Sequence, residues 1–342
     1  MKVSIIWKKP ASLVFYFILK ARYFLYDLGF IKRYIPPVKT LAAGNLSLGG
    51  SGKTPFVLWM LSQLEEKNRI AILSRGYKRK SNGFRYVSTL DPYDQVGDEP
   101  LMMKLKAPEI IVAVAENRQM GIKKILQDHP HIQYILLDDA LQHLQVQAHS
   151  YFLLSRLQHP FYRDTLFPMG TLRDLPERAS RADFLVFTDT GDRDYGELIT
   201  EVGSAIPSFP PERILFTETI YEKMRNIWDD DLFPYNTLSE AVIICGIAEP
   251  SGFIAQVAKM PLEIRNILLF PDHHAYTYSD FDELALYKEN KEILFITTEK
   301  DAVRIKALPG LKSYTHFYYL PISLAIKTSS SNVNKLQTIF MT

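Results

Sequence analysis

Cysteine is almost absent from this chain, because Cys245 is the single one among 342 residues. One cysteine cannot close an internal disulfide, and no cysteine or histidine spacing in the sequence matches a zinc site. Small disulfide-bonded scaffolds and zinc modules are therefore excluded. A reducing, cytosolic compartment is favoured instead.

Strong net charge, internal repeats and low-complexity tracts are absent as well, and the formal charge is only +2. With 47% hydrophobic and 23% charged residues the chain is expected to fold, and its length favours two domains. The charge is uneven, since residues 1–40 contain eight basic residues and one acidic residue. This asymmetry indicates an N-terminal segment that meets an anionic surface. We predict no nucleic-acid partner and infer no obligate protein partner.

The N-terminal segment lacks an uninterrupted hydrophobic run. Lys20, Arg22 and Asp27 interrupt residues 11–30, which disfavours a membrane-spanning helix, and no small-residue cleavage site indicates a signal peptide. The spacing predicts an amphipathic helix in the membrane interface, although a helix that covers the protein's own core fits the pattern too. One predicted apolar face contains Leu13, Phe17, Ala21, Phe24 and Leu28.

Glycine is concentrated in residues 44–55, GNLSLGGSGKTP, between an apolar run and a helical pattern. This setting is typical of a phosphate-binding P-loop, in which Lys53 follows a transferring phosphate and the Thr54 hydroxyl holds Mg²⁺. Ser47 stands where the generic motif has its first glycine, and a chance glycine-rich turn is the alternative. The residues predicted to bind ATP are Ser47, Gly49, Gly50, Ser51, Gly52, Lys53 and Thr54.

Continuous apolar runs separated by helical patterns follow the loop, as expected for parallel strands buried on both faces. We predict a P-loop NTPase-type α/β fold with a doubly wound, mostly parallel sheet and a second, smaller α/β domain. The predicted domains are residues 1–35, 36–213 and 214–342. The predicted strands of the first sheet are 41–43, 70–73, 110–115, 134–137 and 184–187.

Acidic residues follow the 134–137 strand, which is the Walker B arrangement of a carboxylate that holds Mg²⁺. The predicted metal site therefore contains Thr54, Asp138 and Asp139. Arg118, after the 110–115 strand, is a candidate anion clamp.

Asp98 and Glu99 precede a helical pattern. Paired acids at such a position commonly cap the helix, although a carboxylate there could also accept a proton from a substrate hydroxyl. The basic segment 74–80 has two interpretations of equal weight, a site for an anionic or sugar substrate and a solvated loop.

Taken together, these stretches resemble the tetraacyldisaccharide 4'-kinase family, the lipid A 4'-kinases of Gram-negative bacteria. The resemblance spans almost the whole chain, and the family commonly has serine or threonine at the position of Ser47. The matching stretches are 44–55, 74–77, 96–100, 137–139 with 142–143, 170–173, 270–273 and 298–301.

The resemblance implies transfer of the γ-phosphate of ATP, with Mg²⁺, to the 4'-hydroxyl of a tetraacyl glucosamine disaccharide 1-phosphate, a lipid A precursor. It also implies an N-terminal membrane-binding helix, placement at the cytoplasmic face of the inner membrane, and a smaller domain that closes over the nucleotide. Asp98 becomes the catalytic base, supported by His273, which raises its basicity, and Lys53 serves the phosphate. The implied substrate-contacting or phosphate-contacting positions are Arg75, Tyr77, His143 and Arg173.

Ala140 and Asp174 depart from the family pattern, which usually has glycine and glutamate at these positions. An alanine at 140 is expected to constrain the backbone beside the metal, because alanine disfavours positive φ. The alternative functions are a P-loop kinase of a soluble phosphosugar or nucleoside and a membrane-bound NTP-driven switch.

Overall fold

The computed structural model of the chain describes residues 3–234, 239–287, 293–329, 335–336 and 338–340. Within these ranges the strands form two sheets, each made mostly of parallel strands. The helices are α1 (Val3–Asp27), α2 (Lys53–Ser62), α3 (Tyr93–Val96), α4 (Asp98–Lys106), α5 (Arg118–Asp128), α6 (Tyr195–Ala205), α7 (Ser251–Val257) and α8 (Glu299–Ile305).

The large sheet has the order β14-β8-β7-β6-β1-β5-β2-β4-β3 among the described residues. Only its two edge strands, β3 and β14, run antiparallel to their neighbours. Its strands are β1 (Lys39–Asn45), β2 (Ile70–Ser74), β3 (Arg85–Tyr86), β4 (Ile111–Val114), β5 (Tyr134–Leu137), β6 (Ser150–Arg156), β7 (Phe184–Thr188), β8 (Ile214–Tyr221) and β14 (Ile322–Lys327).

The small sheet has the order β11-β10-β12-β13-β9, and β9 is its antiparallel edge strand. We call the two units built on these sheets the P-loop lobe and the small lobe. The strands of the small sheet are β9 (Arg225–Asn226), β10 (Ser239–Cys245), β11 (Leu262–Leu269), β12 (Ile293–Thr298) and β13 (Phe317–Leu320).

The P-loop lobe buries apolar side chains on both faces of its sheet, which explains why its central strands have continuous apolar sequences. The α/β class and the five predicted strands are confirmed, while β3, β6 and β14 of the same sheet were not predicted. The division between the sheets does not fall at residue 214. Strand β8 begins there but pairs with β7, and the chain returns from the small lobe to add β14 beside β8.

Helix α1 contacts the P-loop lobe through a face different from the predicted apolar one. Leu19, Tyr23 and Tyr26 are buried against Leu144 and Leu175. The opposite face is exposed, and none of the described helices is long and apolar enough to cross a membrane. The large apolar side chains exposed on α1 are Trp7, Leu13, Val14, Phe17, Ile18, Phe24 and Leu25.

Candidate active site

The phosphate-binding loop connects β1 to α2, as its glycine pattern predicts. Gly49 and Gly52 have φ angles of 97° and 73°, which residues with a side chain rarely adopt. A Cβ on Gly52 would also come within 3.3 Å of the Thr188 methyl group. Gly52 directly precedes α2, so the first N–H groups of that helix face the loop and favour an anion.

A cavity of 760 Å³ lies in front of this loop, between the two lobes. Residues 50–55 line it, whereas Ser47 and Gly49, also predicted to bind ATP, do not. Ser47 instead forms a β-bridge with Leu172, and its carbonyl accepts a hydrogen bond from the Asn45 side chain. The small lobe lines the cavity with Ala248, Glu249, Ser251, Gly252, Phe253, Gln256 and Lys259, among others.

Lys53 begins α2 and directs its ammonium group toward the carboxyl ends of β1 and β5. Its Nζ donates to Asn45 Oδ1 at 3.2 Å and lies 3.8 Å from Asp139 Oδ1. The side chain is largely buried, so this charge acts in a medium of low polarity. Lys53 is therefore held beside the cavity, as a phosphate-binding lysine requires.

Asp138 and Asp139 follow β5, but their carboxylates have opposite environments. Asp138 is buried and accepts a hydrogen bond of 2.7 Å from the Ser74 hydroxyl; burial and neighbouring carboxylates raise its pKa to about 6. Burial also disfavours ionised Asp139, yet Lys53 and Arg173 outweigh it and lower the pKa to about 2. The Arg173 guanidinium donates to both carboxylate oxygens of Asp139. Asp139 is thus neutralised by protein cations, whereas Asp138 is not.

The turn after β5 contains one positive-φ residue, and it is the residue before Ala140. Asp139 adopts a φ of 49°, while Ala140 is not among the positive-φ residues of the described chain. Ala140 therefore avoids positive φ, as an alanine does, and the effect of this departure from the family pattern stays a prediction. Aspartate visits the left-handed region more readily than alanine does, so the turn after β5 places its strain on a tolerant residue.

Asp98 is the first residue of α4 and is buried at 5% exposure. Its Oδ1 accepts the Glu99 N–H at 2.9 Å, and its Oδ2 lies 2.8 Å from His273 Nδ1 and 3.6 Å from Arg304 Nε. The carboxylate therefore makes a local contact at the helix start and a second contact with the small lobe. The structure brings together Asp98 and His273, the pair implied by the family resemblance.

The effect of His273 on Asp98 is opposite to the expected one. Burial disfavours ionised Asp98, but His273, Lys300 and Arg304 outweigh it and lower its pKa to about 2. The expected increase in basicity is therefore wrong for this arrangement. Lys300 Nζ lies 3.2 Å from His273 Nε2, and an ammonium group only donates, so the ring proton of a neutral His273 is on Nδ1 and points to Asp98.

The neighbouring His274 faces the interior of the small lobe. Its Nε2 lies 3.0 Å from Asp280 Oδ2, and its ring stacks on Phe270 with centroids 4.7 Å apart. His273 adopts a φ of 60°, a turn conformation that separates the directions of the two side chains. The geometry therefore distinguishes two histidines that the sequence alone does not.

Three of the predicted substrate residues lie in the loops after β2 and β5. Arg75 and Tyr77 are exposed, and the Tyr77 ring is 5.3 Å from the His273 ring, centroid to centroid. Burial, followed by the charges of Arg118 and Arg75, lowers the pKa of His143 to about 3. His143 is thus neutral at physiological pH and available for hydrogen bonds rather than for ion pairing.

Arg118 is not the anion clamp that the sequence predicts. It is 1% exposed, and its guanidinium donates to the carbonyl oxygens of Ala115 and Asp138, the latter at 2.9 Å. Burial lowers its pKa to about 10, which leaves it charged at neutral pH. Arg118 therefore joins the ends of β4 and β5 and does not face a ligand.

Sequence reasoning assigned no role to Lys300 and Arg304, and it left Glu99 as one half of an acidic pair. Lys300 Nζ lies 3.0 Å from Glu99 Oε1, which joins the lobes beside Asp98. Arg304 is buried and donates to the Gly246 carbonyl and to Asp301, at 2.9 and 2.6 Å. Lys300 belongs to one of the matching stretches, but no local pattern distinguishes Arg304 from a surface arginine of a short helix.

The chain has a P-loop after the first strand of a mostly parallel sheet, acidic residues after a neighbouring strand and a second lobe across the cavity. This arrangement defines a P-loop nucleotide-binding protein. The family model of LpxK, tetraacyldisaccharide-1-P 4'-kinase, matches residues 5–340. The chain belongs to this family. The resemblance indicated by the motifs is thereby confirmed.

Individual relatives match over most of their lengths. The chain is 35% identical over 314 residues to the tetraacyldisaccharide 4'-kinase of Flavobacterium johnsoniae, covering 92% of this chain and 90% of the relative. It is 33% identical over 337 residues to that of Cytophaga hutchinsonii, covering 96% and 94%. LpxK of Aquifex aeolicus, solved in complex with ATP, has a TM-score of 0.77 and 28% identity, covering 97% of this chain and 96% of that chain.

Proposed function

We propose that the chain transfers the γ-phosphate of ATP to the 4'-hydroxyl of a tetraacyl glucosamine disaccharide 1-phosphate. Family membership and the names of the relatives support this activity, and the Aquifex aeolicus structure supports ATP as donor. The observation that carries the proposal is the cavity shared by the P-loop and Glu99, the neighbour of Asp98. Asp98 itself is not among the residues that line the cavity, and we infer that a hydroxyl held by it meets the phosphate held by Lys53 once both substrates are bound.

The P-loop lobe supplies the phosphate-binding groups. The N–H groups at the start of α2 and the ammonium group of Lys53 neutralise the negative charge on the terminal phosphates, which grows on the leaving oxygen as the bond breaks. Lys53, whose Nζ lies 3.2 Å from Asn45 Oδ1, is held by this contact beside the cavity and supplies the positive charge next to the phosphate.

The residues near the P-loop also fit Mg²⁺. Asp138 Oδ1 is buried and has no hydrogen-bond partner within the described part of the chain. Burial and the neighbouring carboxylates raise the pKa of Asp138, and a bound cation would offset both effects. Thr54 and Asp138 would hold the ion, directly or through water, and Mg²⁺ supplies neutralisation of the phosphate charge when bound. Asp139 is already paired with Arg173, so we propose that it supports the metal site and does not bind the ion itself.

Asp98 orients the acceptor hydroxyl and receives its proton. The low pKa keeps the carboxylate ionised at neutral pH and makes it a weak base. Such a base suits a loose transition state, in which the proton leaves after most of the bond to the leaving group has broken. Nucleotide and substrate charges that draw Lys300 or His273 away from Asp98 would increase its basicity.

We further propose that α1 binds the cytoplasmic leaflet of the inner membrane through its exposed apolar face. Phe17 and Phe24 are about 60% exposed on that face, at 60% and 62%, and basic residues flank them. Burial of such side chains in lipid contributes about 1.5–3 kcal/mol each, and each near-surface cation adds about 1 kcal/mol with anionic lipid.

The experiment that tests the activity is mass spectrometry of a mixed-micelle reaction with Mg-ATP and tetraacyldisaccharide 1-phosphate. We expect the lipid to gain one phosphate, and Asp98→Ala to lose kcat far more than ATP affinity. Lys53→Ala is expected to reduce both, because it removes a phosphate contact. ATP consumption without a phosphorylated lipid would contradict the proposal and favour an NTP-driven switch.

A further inference from the structure

Tyr23 links the N-terminal helix to a buried carboxylate of the P-loop lobe. Its hydroxyl lies 2.6 Å from each carboxylate oxygen of Asp174, and the two residues are 4% and 1% exposed. The Arg178 guanidinium packs over the Tyr23 ring, 3.9 Å from its centroid. A carboxylate buried to this degree depends on the few donors that reach it.

The contact continues from Asp174 to the end of β1. Gln142 Nε2 lies 3.3 Å from Asp174 Oδ2 and donates to the Asn45 carbonyl at 2.9 Å. Arg22, the residue before Tyr23, donates to the Gln142 carbonyl at 2.7 Å. Arg22 therefore contacts the loop that follows the Asp138–Asp139 pair directly, and Tyr23 contacts it through Asp174.

Asn45 carries the network to the phosphate-binding lysine. Its Oδ1 accepts hydrogen bonds from Lys53 Nζ, at 3.2 Å, and from Arg173. Its Nδ2 donates to the Ser47 carbonyl at 2.8 Å, within the P-loop. The side chain of Asn45 thus fixes the resting place of Lys53 and the first turn of the loop together.

We propose that Tyr23 is a positioning residue for ATP: docking of α1 on the P-loop lobe sets the phosphate-binding geometry through Asp174, Gln142 and Asn45. Without the Tyr23 hydroxyl, Gln142 becomes the main side-chain donor to Asp174 and its hydrogen bond to Asn45 weakens. Lys53 and the loop then occupy a wider range of positions. This inference rests on the proposed kinase function, because it concerns the ATP site of that reaction. Its test measures ATP binding and not lipid phosphorylation.

The network gives α1 a role in nucleotide binding in addition to membrane attachment. A helix that only attached the enzyme to lipid would alter vesicle binding and the KM for the lipid acceptor. A helix that sets the geometry of Asn45 and Lys53 also alters the affinity for nucleotide in the absence of any lipid. The two roles therefore separate in a solution binding measurement.

The test is calorimetric titration of Mg-ATP into the full-length protein in detergent, comparing wild type with Tyr23→Phe. We expect the Kd to rise about three- to tenfold, the range that one hydrogen bond contributes. Tyr26→Phe is the matched control, since Tyr26 lies on the same helix and meets Arg33 through its ring, 5.4 Å away. Its Kd for Mg-ATP should equal that of wild type.

Arg22→Gln provides a second variant that does not disturb the buried carboxylate, because Arg22 is exposed. We expect its Kd for Mg-ATP to rise as well, by a smaller factor. Lys20→Gln removes the contacts of the exposed ammonium group with Glu177 and with the Tyr16 ring, and it should leave the Kd unchanged. An unchanged Kd in both Tyr23→Phe and Arg22→Gln, with weaker vesicle binding or a lower Tm alone, would overturn the inference. The Kd measurement distinguishes these outcomes even if the lipid proves not to be the acceptor.

Discussion

Asp98 remains ionised inside the protein because cationic and hydrogen-bonding groups from the small lobe face it. His273 lies 175 residues further along the chain, and Lys300 and Arg304 add positive charge from α8. The same small-lobe groups that neutralise the carboxylate also reduce its basicity. The reactivity of this residue therefore depends on the arrangement of the second lobe.

The adjacent histidines offer a matched pair of substitutions at this site. His273→Gln should lower kcat at least tenfold, an effect on the order of that of a positioned proton-transfer partner, with a smaller change in the KM for ATP. His274→Gln should keep kcat close to wild type, because His274 contacts Asp280 inside the small lobe. Steady-state kinetics of both variants test this, and an equal loss of kcat in the two would contradict the assignment.

The stability of the protein should depend on Asp98 in a defined pH range. Because its pKa is lowered to about 2, ionised Asp98 stabilises the fold above its unfolded pKa of about 3.9. This contribution is lost as the pH falls through about 2. By linkage it is on the order of 2 kcal/mol, so Asp98→Asn should be less stable than wild type at pH 6. The difference should shrink between pH 4 and pH 2 in urea unfolding, and a constant difference would contradict the pKa.

The residue scale also shows why parts of the site could not be predicted. Lys53, Asp138 and the P-loop glycines are found from local patterns, because each motif is contiguous. The guanidinium of Arg118 has the same sequence context whether it faces a ligand or two carbonyl groups. The contacts of Lys300 with Glu99 and of Tyr23 with Asp174 join residues 201 and 151 positions apart. Only tertiary structure brings such pairs together.

At the scale of elements, α1 has an aromatic face that packs on the P-loop lobe and an apolar face that is exposed. The predicted helix exists, and the apolar stripe that its spacing indicated is the exposed face, while an aromatic face holds it to the P-loop lobe. Periodicity predicted the stripe because a helix repeats every 3.6 residues. It could not predict which face the rest of the chain covers. Strand β6 was missed although its apolar run, residues 151–154, is as long as that of the predicted strand 134–137.

Membrane binding by α1 predicts a change that leaves the fold intact. Phe17→Glu should reduce partition onto anionic vesicles by at least tenfold, because it puts a charge in place of an apolar side chain that lipid would bury. The Kd for Mg-ATP and the Tm should stay at wild-type values, since Phe17 is 60% exposed. Leu90→Glu, at a loop position that is 92% exposed, is the control. Vesicle sedimentation in which both variants bind equally would exclude α1 as the membrane contact.

At the scale of the whole molecule, ion pairs between α4 and α8 hold the two lobes together. Lys106 Nζ lies 2.8 Å from Glu299 Oε2, and Lys300 Nζ lies 3.0 Å from Glu99 Oε1. Burial raises the pKa of Glu299, and Lys106 opposes that increase. The lobes therefore meet through charges that are paired only while α4 and α8 are in contact.

Removal of one member of this pair should cost stability. Lys106→Met leaves Glu299 buried without its main cation, and we expect the free energy of unfolding to fall by about 2 kcal/mol. The loss stays below that of a fully buried pair, because Lys106 is partly exposed. The double variant Lys106→Met/Glu299→Gln should recover most of it. Urea unfolding of the four proteins tests this, and simple additivity of the two losses would contradict the coupling.

Strand β14 has a consequence for the order of events during synthesis. The small lobe occupies the chain between β8 and β14, yet β14 pairs with β8 and packs against α2, the helix of the P-loop. The strands of the small sheet are therefore synthesised before β14, the edge strand of the nucleotide-binding sheet, although β13 ends only two residues before β14 begins. Domains commonly fold as they emerge, the N-terminal one first. In this protein the sheet of the P-loop lobe is incomplete until the small lobe has been synthesised. Strand β8 is an unpaired edge until β14 is made.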